Sequence, residues 1–242
     1  MMRRALLVPL VVGGCANLPA PAPASSGPRA PAVPDGPLYG IPGEAMAYEV
    51  RLRGMRVARI DIAVGDLGWI DGHRAIIVRS HGKSEGLLSL VTDVTYELTT
   101  TLDLDAGHPV RDLEQAKVVF EGKQESSKHE RLWSARDIAE GMHDLHSAAA
   151  ALRGWHGGSA HAQHLDVAID DATIDVALEE SGRELVKTMP AVRYAGTARE
   201  RFPFTVWISD DAARVPLAVH ASTKWGDIDA ALLDYDPPRE AI

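Results

Sequence analysis

The stretch Met46-Ala47-Tyr48-Glu49-Val50-Arg51-Leu52-Arg53 alternates large apolar residues with small or charged ones. A period of two puts Met46, Tyr48, Val50 and Leu52 on one face of an extended chain, and Glu49, Arg51 and Arg53 on the other. That is a strand with one dry and one wet face, and Gly54 ends it. The pattern recurs. Ile60, Ile62 and Val64 alternate with Arg59, Asp61 and Ala63, and Val94, Tyr96, Leu98 and Leu102 share one parity. Val118 to Phe120 closes another apolar segment before the turn Glu121-Gly122-Lys123 and a polar run to Glu130. Later come Leu165/Val167/Ile169, Ile174/Val176/Leu178, Phe204/Val206/Ile208, Val215/Leu217/Val219 and Ile228/Ala230/Leu232. One-faced alternation disfavours a parallel α/β sheet, whose strands are apolar on both faces. The pattern predicts an all-β, mainly antiparallel fold: a single large curved sheet or open β-barrel of about ten to eleven strands.

One segment departs from it. Asp144-Leu145-His146-Ser147 leads into Ala148–Ala151, Leu152 and Arg153. Alanine is the strongest helix former, Asp144 suits an N-cap, and Gly154 follows the last turn. Leu145, Ala149 and Leu152 form a stripe at helical spacing, so one short helix should pack on the sheet.

The N-terminus reads as an address. Arg3 and Arg4 precede the apolar run Ala5–Val12, which is too short to span a bilayer. Val12-Gly13-Gly14-Cys15 resembles a bacterial lipobox. In such signals residues 1–14 are removed and the cysteine, here Cys15, carries the acyl chains, palmitate among them. The alternative is a plain signal peptide ending beside a free cysteine. Ala16 stands where an Asp would favour inner-membrane retention, so the resemblance implies the outer membrane, with the domain in the periplasm. Removal of Arg3 and Arg4 leaves 23 basic against 34 acidic residues, a charge of −11.

Residues 15–38 hold seven prolines among Ala, Ser and Gly. Such a segment favours extended polyproline II and serves as a spacer, or as a ligand for a proline-binding module. The body, 39–242, shows no second Pro-rich break and reads as one domain. The net charge of −9 argues against nucleic acid as a partner. With Cys15 the single cysteine, no intrachain disulfide or cysteine-based zinc site can form.

Asp144-Leu145-His146-Ser147-Ala148, closing on Leu152-Arg153, resembles a helix motif of exported bacterial proteins in the family called domain of unknown function 3108. Val206-Trp207-Ile208-Ser209-Asp210-Asp211, Arg214-Val215-Pro216, Gly226-Asp227-Ile228 and Gly43-Glu44-Ala45-Met46-Ala47-Tyr48 extend the likeness over about residues 42–235. The resemblance implies an envelope protein with an antiparallel β domain and supplies no catalytic residues. His146 is a departure, standing where that pattern has an apolar residue.

Five of the 10 histidines fall in one stretch: His143, His146, His156, His161 and His164. Neutral imidazole ligates zinc, so three or four of them converging would make a metal site, with Asp144 and Asp166 in support. A Gly- and Ala-rich surface loop tolerant of histidine is the alternative. Gly157-Gly158-Ser159-Ala160-His161 is only superficially like a nucleophile elbow, since the closing glycine is missing. Ser147 reads as support for the helix cap rather than as a nucleophile. Asp210-Asp211 reads as a turn. Trp207 and Trp225 are out of phase with their apolar neighbours, which makes them candidate ligand platforms or marks a second covered face.

The function expected is a non-enzymatic envelope lipoprotein without a cofactor, binding a lipid or acyl ligand in its cupped sheet or docking an envelope partner. The runner-up is a zinc-binding protein or metal-dependent hydrolase built on the His143–His164 cluster. A side-chain-filled interior would argue against lipid carriage.

Overall fold

The computed structural model describes residues 41–155, 163–169, 172–198 and 202–237. The alternating segments form one 13-stranded sheet. The first half supplies β1 (Ala45–Leu52), β2 (Met55–Ile70), β3 (His73–Ser84), β4 (Thr92–Asp103), β5 (His108–Phe120) and β6 (Lys123–Leu132). The two-residue β7 (Met142–His143) follows. The second half supplies β8 (Gln163–Ile169), β9 (Ala172–Val186), β10 (Met189–Ala198), β11 (Phe202–Ser209), β12 (Pro216–Thr223) and β13 (Gly226–Asp236). Three helices interrupt them: α1 (Gly86–Ser89), α2 (Ala135–Ala139) and α3 (Leu145–Gly154).

The spatial order is β6-β5-β4-β3-β2-β1-β13-β12-β11-β10-β9-β8-β7. Two antiparallel meanders therefore meet where β1 pairs with β13 (Val50 opposite Ala230). Among the described residues the only parallel pairing is β7 against β8, Met142 opposite Asp166. This topology forces curvature. Across a flat sheet, β6 and β7 would lie about 58 Å apart at about 4.8 Å per strand. The chain passes from Leu132 to Met142 in ten residues, which span at most about 35 Å fully extended. The sheet must roll until its edges approach, and α2, β7 and α3 form the crossover between them. The edges do not pair, so the roll is open.

The core confirms that α3 lies inside. One buried cluster joins Met46, Tyr48, Val64, Ile76, Val78 and Leu102 to Ala150, with Ala149 packed on it. The other joins Leu165, Val167, Leu178, Tyr194, Val206 and Ile208 to Ala151 and Trp155, with Leu145, Ala148 and Leu152 packed on it. A helix covered on both sides needs small side chains, and the run of alanines lets the two walls of the roll close on it.

The all-β antiparallel fold is as read, but the described residues form thirteen strands where about ten to eleven were expected, and three helices where one was. Two of the strands outside that reading lack a clean alternation. In β3, Ala75-Ile76-Ile77-Val78 is a continuous apolar run. In β6, Lys123 to Leu132 is exposed along almost its whole length. It survives as an edge because Lys123, Glu125, Lys128 and Glu130 discourage pairing with another chain. Among the described residues, no helix is long and apolar enough to cross a membrane.

Candidate functional site: the polar helix inside the roll

Helix α3 starts with a reciprocal cap. The Ser147 amide donates to Asp144 Oδ1 at 2.8 Å, and the Asp144 amide donates to Ser147 Oγ at 3.0 Å. Two of the helix's orphan amide-end donors are thus satisfied at a buried position. The other oxygen of Asp144 accepts from the Thr100 hydroxyl on β4. A carboxylate only accepts, so the single hydroxyl proton of Thr100 is committed to Asp144. His146 Nδ1, 2.8 Å from Thr100 Oγ1, must then be the donor in that contact. Its Nε2 is left as the acceptor for Ser80 Oγ on β3, at 2.6 Å. Burial lowers the His146 pKa, in keeping with a neutral ring.

The sequence Ser80–His146–Thr100–Asp144 has the connectivity of a general-base relay. Ser80 is buried, 8% exposed, and does not line the adjacent cleft. That cleft lies at the seam, where β4, β5 and β6 face β8 and the start of α3. Tyr96, Leu98, Asp112, Arg131, Asp144 and Ile169 are among its lining. Its cavity is about 20 Å³, room for one water molecule. Asp112, on its wall, accepts from Trp133 Nε1 at 2.7 Å, and burial raises its pKa.

His143 sits beside the cap. Its Nδ1 is 3.2 Å from Ser147 Oγ, and its ring stacks on His108 with centroids 5.4 Å apart. Burial, reinforced by the neighbouring His108, pushes its pKa down to about 4. His108 is lowered too, by burial, and its Nδ1 has no hydrogen-bond partner among the described residues.

The carboxyl end of α3 is fixed by two arginines. Arg153 makes a two-pronged pair with Glu44, both bonds 2.8 Å, and Glu44 is fully buried. Tyr235 donates a third bond to Glu44 at 2.9 Å, and burial plus that carboxylate pushes the phenol up to about 12. Arg214 donates to the carbonyls of Arg153 and Trp155 and to Tyr194 Oη. Cations at a helix carboxyl end complement its dipole and satisfy its open carbonyls.

The candidate residues separate. His143 and His146 are both buried and linked only indirectly, through Ser147, Asp144 and Thr100, while His164 is exposed on β8, 3.8 Å from Asp175. His156 and His161, the Ser159 motif and Cys15 lie outside the described residues. Among the described residues, the one group with metal-ligand proximity is His73, Asp103 and Asp105 at two turns. Arg74 already binds Asp105 there. Trp207 is half-buried against the first core cluster and donates to Glu184. Trp225 is partly exposed in the β12–β13 turn, under the Lys224 ammonium at 4.5 Å. Ser147 and the Asp211 turn behave as read; Asp211 accepts from Ser209 Oγ and from the amides of Ala213 and Arg214. The Ser80–Thr100 half of the network was missed. Its only trace in the sequence is a serine and a threonine at inward-facing strand positions.

These features define a β-barrel-like protein: an open antiparallel roll closed on a buried, polar-ended helix. The chain belongs to the family described as protein of unknown function DUF3108, whose model matches residues 47–232. No curated protein matches it in sequence. Among solved structures it is similar to the β-barrel-like protein of domain of unknown function DUF1849 from Brucella abortus. That match is 8% identical, covers 82% of this chain and 99% of that one, and has a TM-score of 0.52. It supports the fold alone. A putative lipoprotein from Parabacteroides distasonis is 6% identical over 81% of this chain and 96% of that one, with a TM-score of 0.37. The lipoprotein LppX from Mycobacterium tuberculosis is 13% identical over 82% and 89%, with a TM-score of 0.29. At those two scores the likeness carries no argument.

Proposed function

We propose that the chain is a bacterial cell-envelope lipoprotein, held at the outer membrane through acylated Cys15. Its periplasmic β domain works by binding apolar material or an envelope partner, not by catalysis. The observation that carries this reading is where the polar groups of α3 are spent. Asp144, His146, Ser147, Arg153 and Arg214 are bonded to the helix and to the walls of the roll. Such an arrangement fixes a scaffold. The water-sized seam cavity and the helix packed between the two core clusters favour contact at the outside of the roll over carriage of an acyl chain within it.

The test uses the full chain expressed in a Gram-negative host. The N-terminal peptide should begin at Cys15, carry a thioether-linked diacylglyceryl group on sulfur and one acyl group on nitrogen, and fractionate with the outer membrane. Cys15→Ser should abolish the acylation. An unmodified Cys15 in a water-soluble product would overturn the anchor. Turnover of acyl esters that is lost in Ser80→Ala would overturn the non-enzymatic reading.

A further inference from the structure

The strand ends of the roll fall at two rims. At one rim lie the β1–β2 turn, the β3–β4 connection containing α1, the β5–β6 turn and the β12–β13 turn. That rim carries an apolar tip. Gly86-Leu87-Leu88-Ser89-Leu90-Val91 forms α1 and its exit, and Leu87, Leu90 and Val91 are 64%, 80% and 63% exposed. Three highly exposed aliphatic side chains within five residues are not the scattered apolar surface that every protein has.

The neighbours extend the patch. The Glu85 amide donates to the Val57 carbonyl at 2.8 Å, and Gly86 abuts the Arg56 carbonyl, which brings the tip beside exposed Met55. On the other side, Thr92 pairs with exposed Phe120. Gly86 is held at φ +61°, and a side chain there would strike the Arg56 carbonyl, so the turn that projects Leu87 outward requires glycine. Further along the rim, Trp225 lies under Lys224, and Arg53 donates to the Trp225 carbonyl. Glu85 at the foot of the tip is neutralised by Arg56.

We propose that this tip docks on the surface of a lipid bilayer, with Leu87, Leu90 and Val91 entering the headgroup–acyl boundary and Trp225 at headgroup depth. A lone apolar finger flanked by tryptophan and basic residues has the composition of an interfacial anchor. The chain outside the described region supports this occupant over others. This inference rests on the reading that Cys15 is anchored, which keeps a bilayer within reach at all times. The described chain begins at Ile41, and Gly43 bonds to Val64. From Val64 back along β2 to Met55 is about 30 Å of strand. The 26 residues from Cys15 to Ile41 span up to about 80 Å as polyproline II. The anchored body can therefore turn its tip onto the membrane that holds it.

The experiment uses the lipidated full chain in vesicles of phosphatidylethanolamine with a minority of phosphatidylglycerol. Acylated Cys15 has no free thiol, so Leu90→Cys and Leu185→Cys each give one labelling site. Leu185 is also exposed but sits near the opposite rim. A polarity-sensitive dye at position 90 should be quenched by spin-labelled lipid several-fold more than the same dye at position 185. Adding Leu87→Asn and Val91→Asn to the Leu90→Cys chain should abolish the difference. These side chains contact mainly solvent, so the fold should be retained. Equal quenching at both positions in chains that float with vesicles overturns tip docking and leaves the anchor standing. Failure to float, with unmodified Cys15, overturns both. A dye at position 90 already shielded without vesicles, in a particle of twice the mass, assigns the tip to a second copy of the chain and overturns the membrane assignment.

Discussion

Acidification should unfold this protein through His143, and the size of the effect follows from its surroundings. In the folded chain burial and the stacked His108 hold the imidazole near pKa 4, against 6.5 in the unfolded chain. The unfolded state therefore binds the extra proton first as pH falls. Stability is complete above about pH 6.5 and is lost progressively toward pH 4. At about 1.4 kcal/mol for each tenfold difference in proton affinity, the full span is about 3.5 kcal/mol, and roughly 2.5 kcal/mol of it is lost by about pH 4.5. His146 and His108, both lowered by burial, act in the same direction. Asp112, raised by burial, opposes them, because its folded form takes up a proton before the unfolded chain does. The assay is urea denaturation at a series of pH values for the wild type and for His143→Asn, whose amide can still meet Ser147. The variant should lose roughly 2.5 kcal/mol of the pH-dependent difference between about pH 7.5 and 4.5, whatever its stability at neutral pH. If the two pH profiles run parallel, His143 is not buried and neutral, and the placement of α3 inside the roll is wrong.

Other substitutions probe the same core. Arg153→Met leaves the Glu44 carboxylate buried with only Tyr235 described as a side-chain donor, and should cost about 3–5 kcal/mol by chemical denaturation. Asp144→Ala removes both the cap and the Thr100 acceptor and should cost about 2 kcal/mol, whereas Ser134→Ala, at the exposed cap of α2, should cost only about 1 kcal/mol. Equal losses would place the α3 cap in water. Gly196→Ala would put a Cβ 2.7 Å from both the Ala177 carbonyl and the Phe204 ring, and should lower stability by about 1–3 kcal/mol in a thermal melt.

What could be read from the sequence follows from how each signal arises. Met46–Leu52 and Val206–Ile208 announce themselves because one face of each strand is dry, and alternation is the record of that. β6 leaves no such record, since it is an edge with both faces wet, and β7 is too short to carry a period. The cap of α3 was legible because Asp144 and Ser147 are three residues apart and act locally. Thr100 and Ser80 were not, because they meet His146 across 46 and 66 residues of chain, and nothing in a linear pattern pairs them. Nearness in sequence likewise groups His143, His146 and His164, while the crossover turns the first two inward and leaves the third on the exposed side of β8.

The departure at His146 then has a physical meaning. An apolar residue there would face Ser80 and Thr100, two hydroxyls held inside the roll, leaving Thr100 with Asp144 alone and the Ser80 hydroxyl without its described partner, at about 1–3 kcal/mol for a group left unsatisfied. The imidazole answers both at once, as donor at Nδ1 and acceptor at Nε2, and through Thr100 it is tied to the cap of its own helix. The bonds also fix register: sliding α3 by one turn would break them together with the Arg153–Glu44 pair at its other end. A plug of alanines alone would fit the roll at several heights. Polar contacts at both ends hold it at one, and so hold the two edges of an unclosed sheet at a fixed distance.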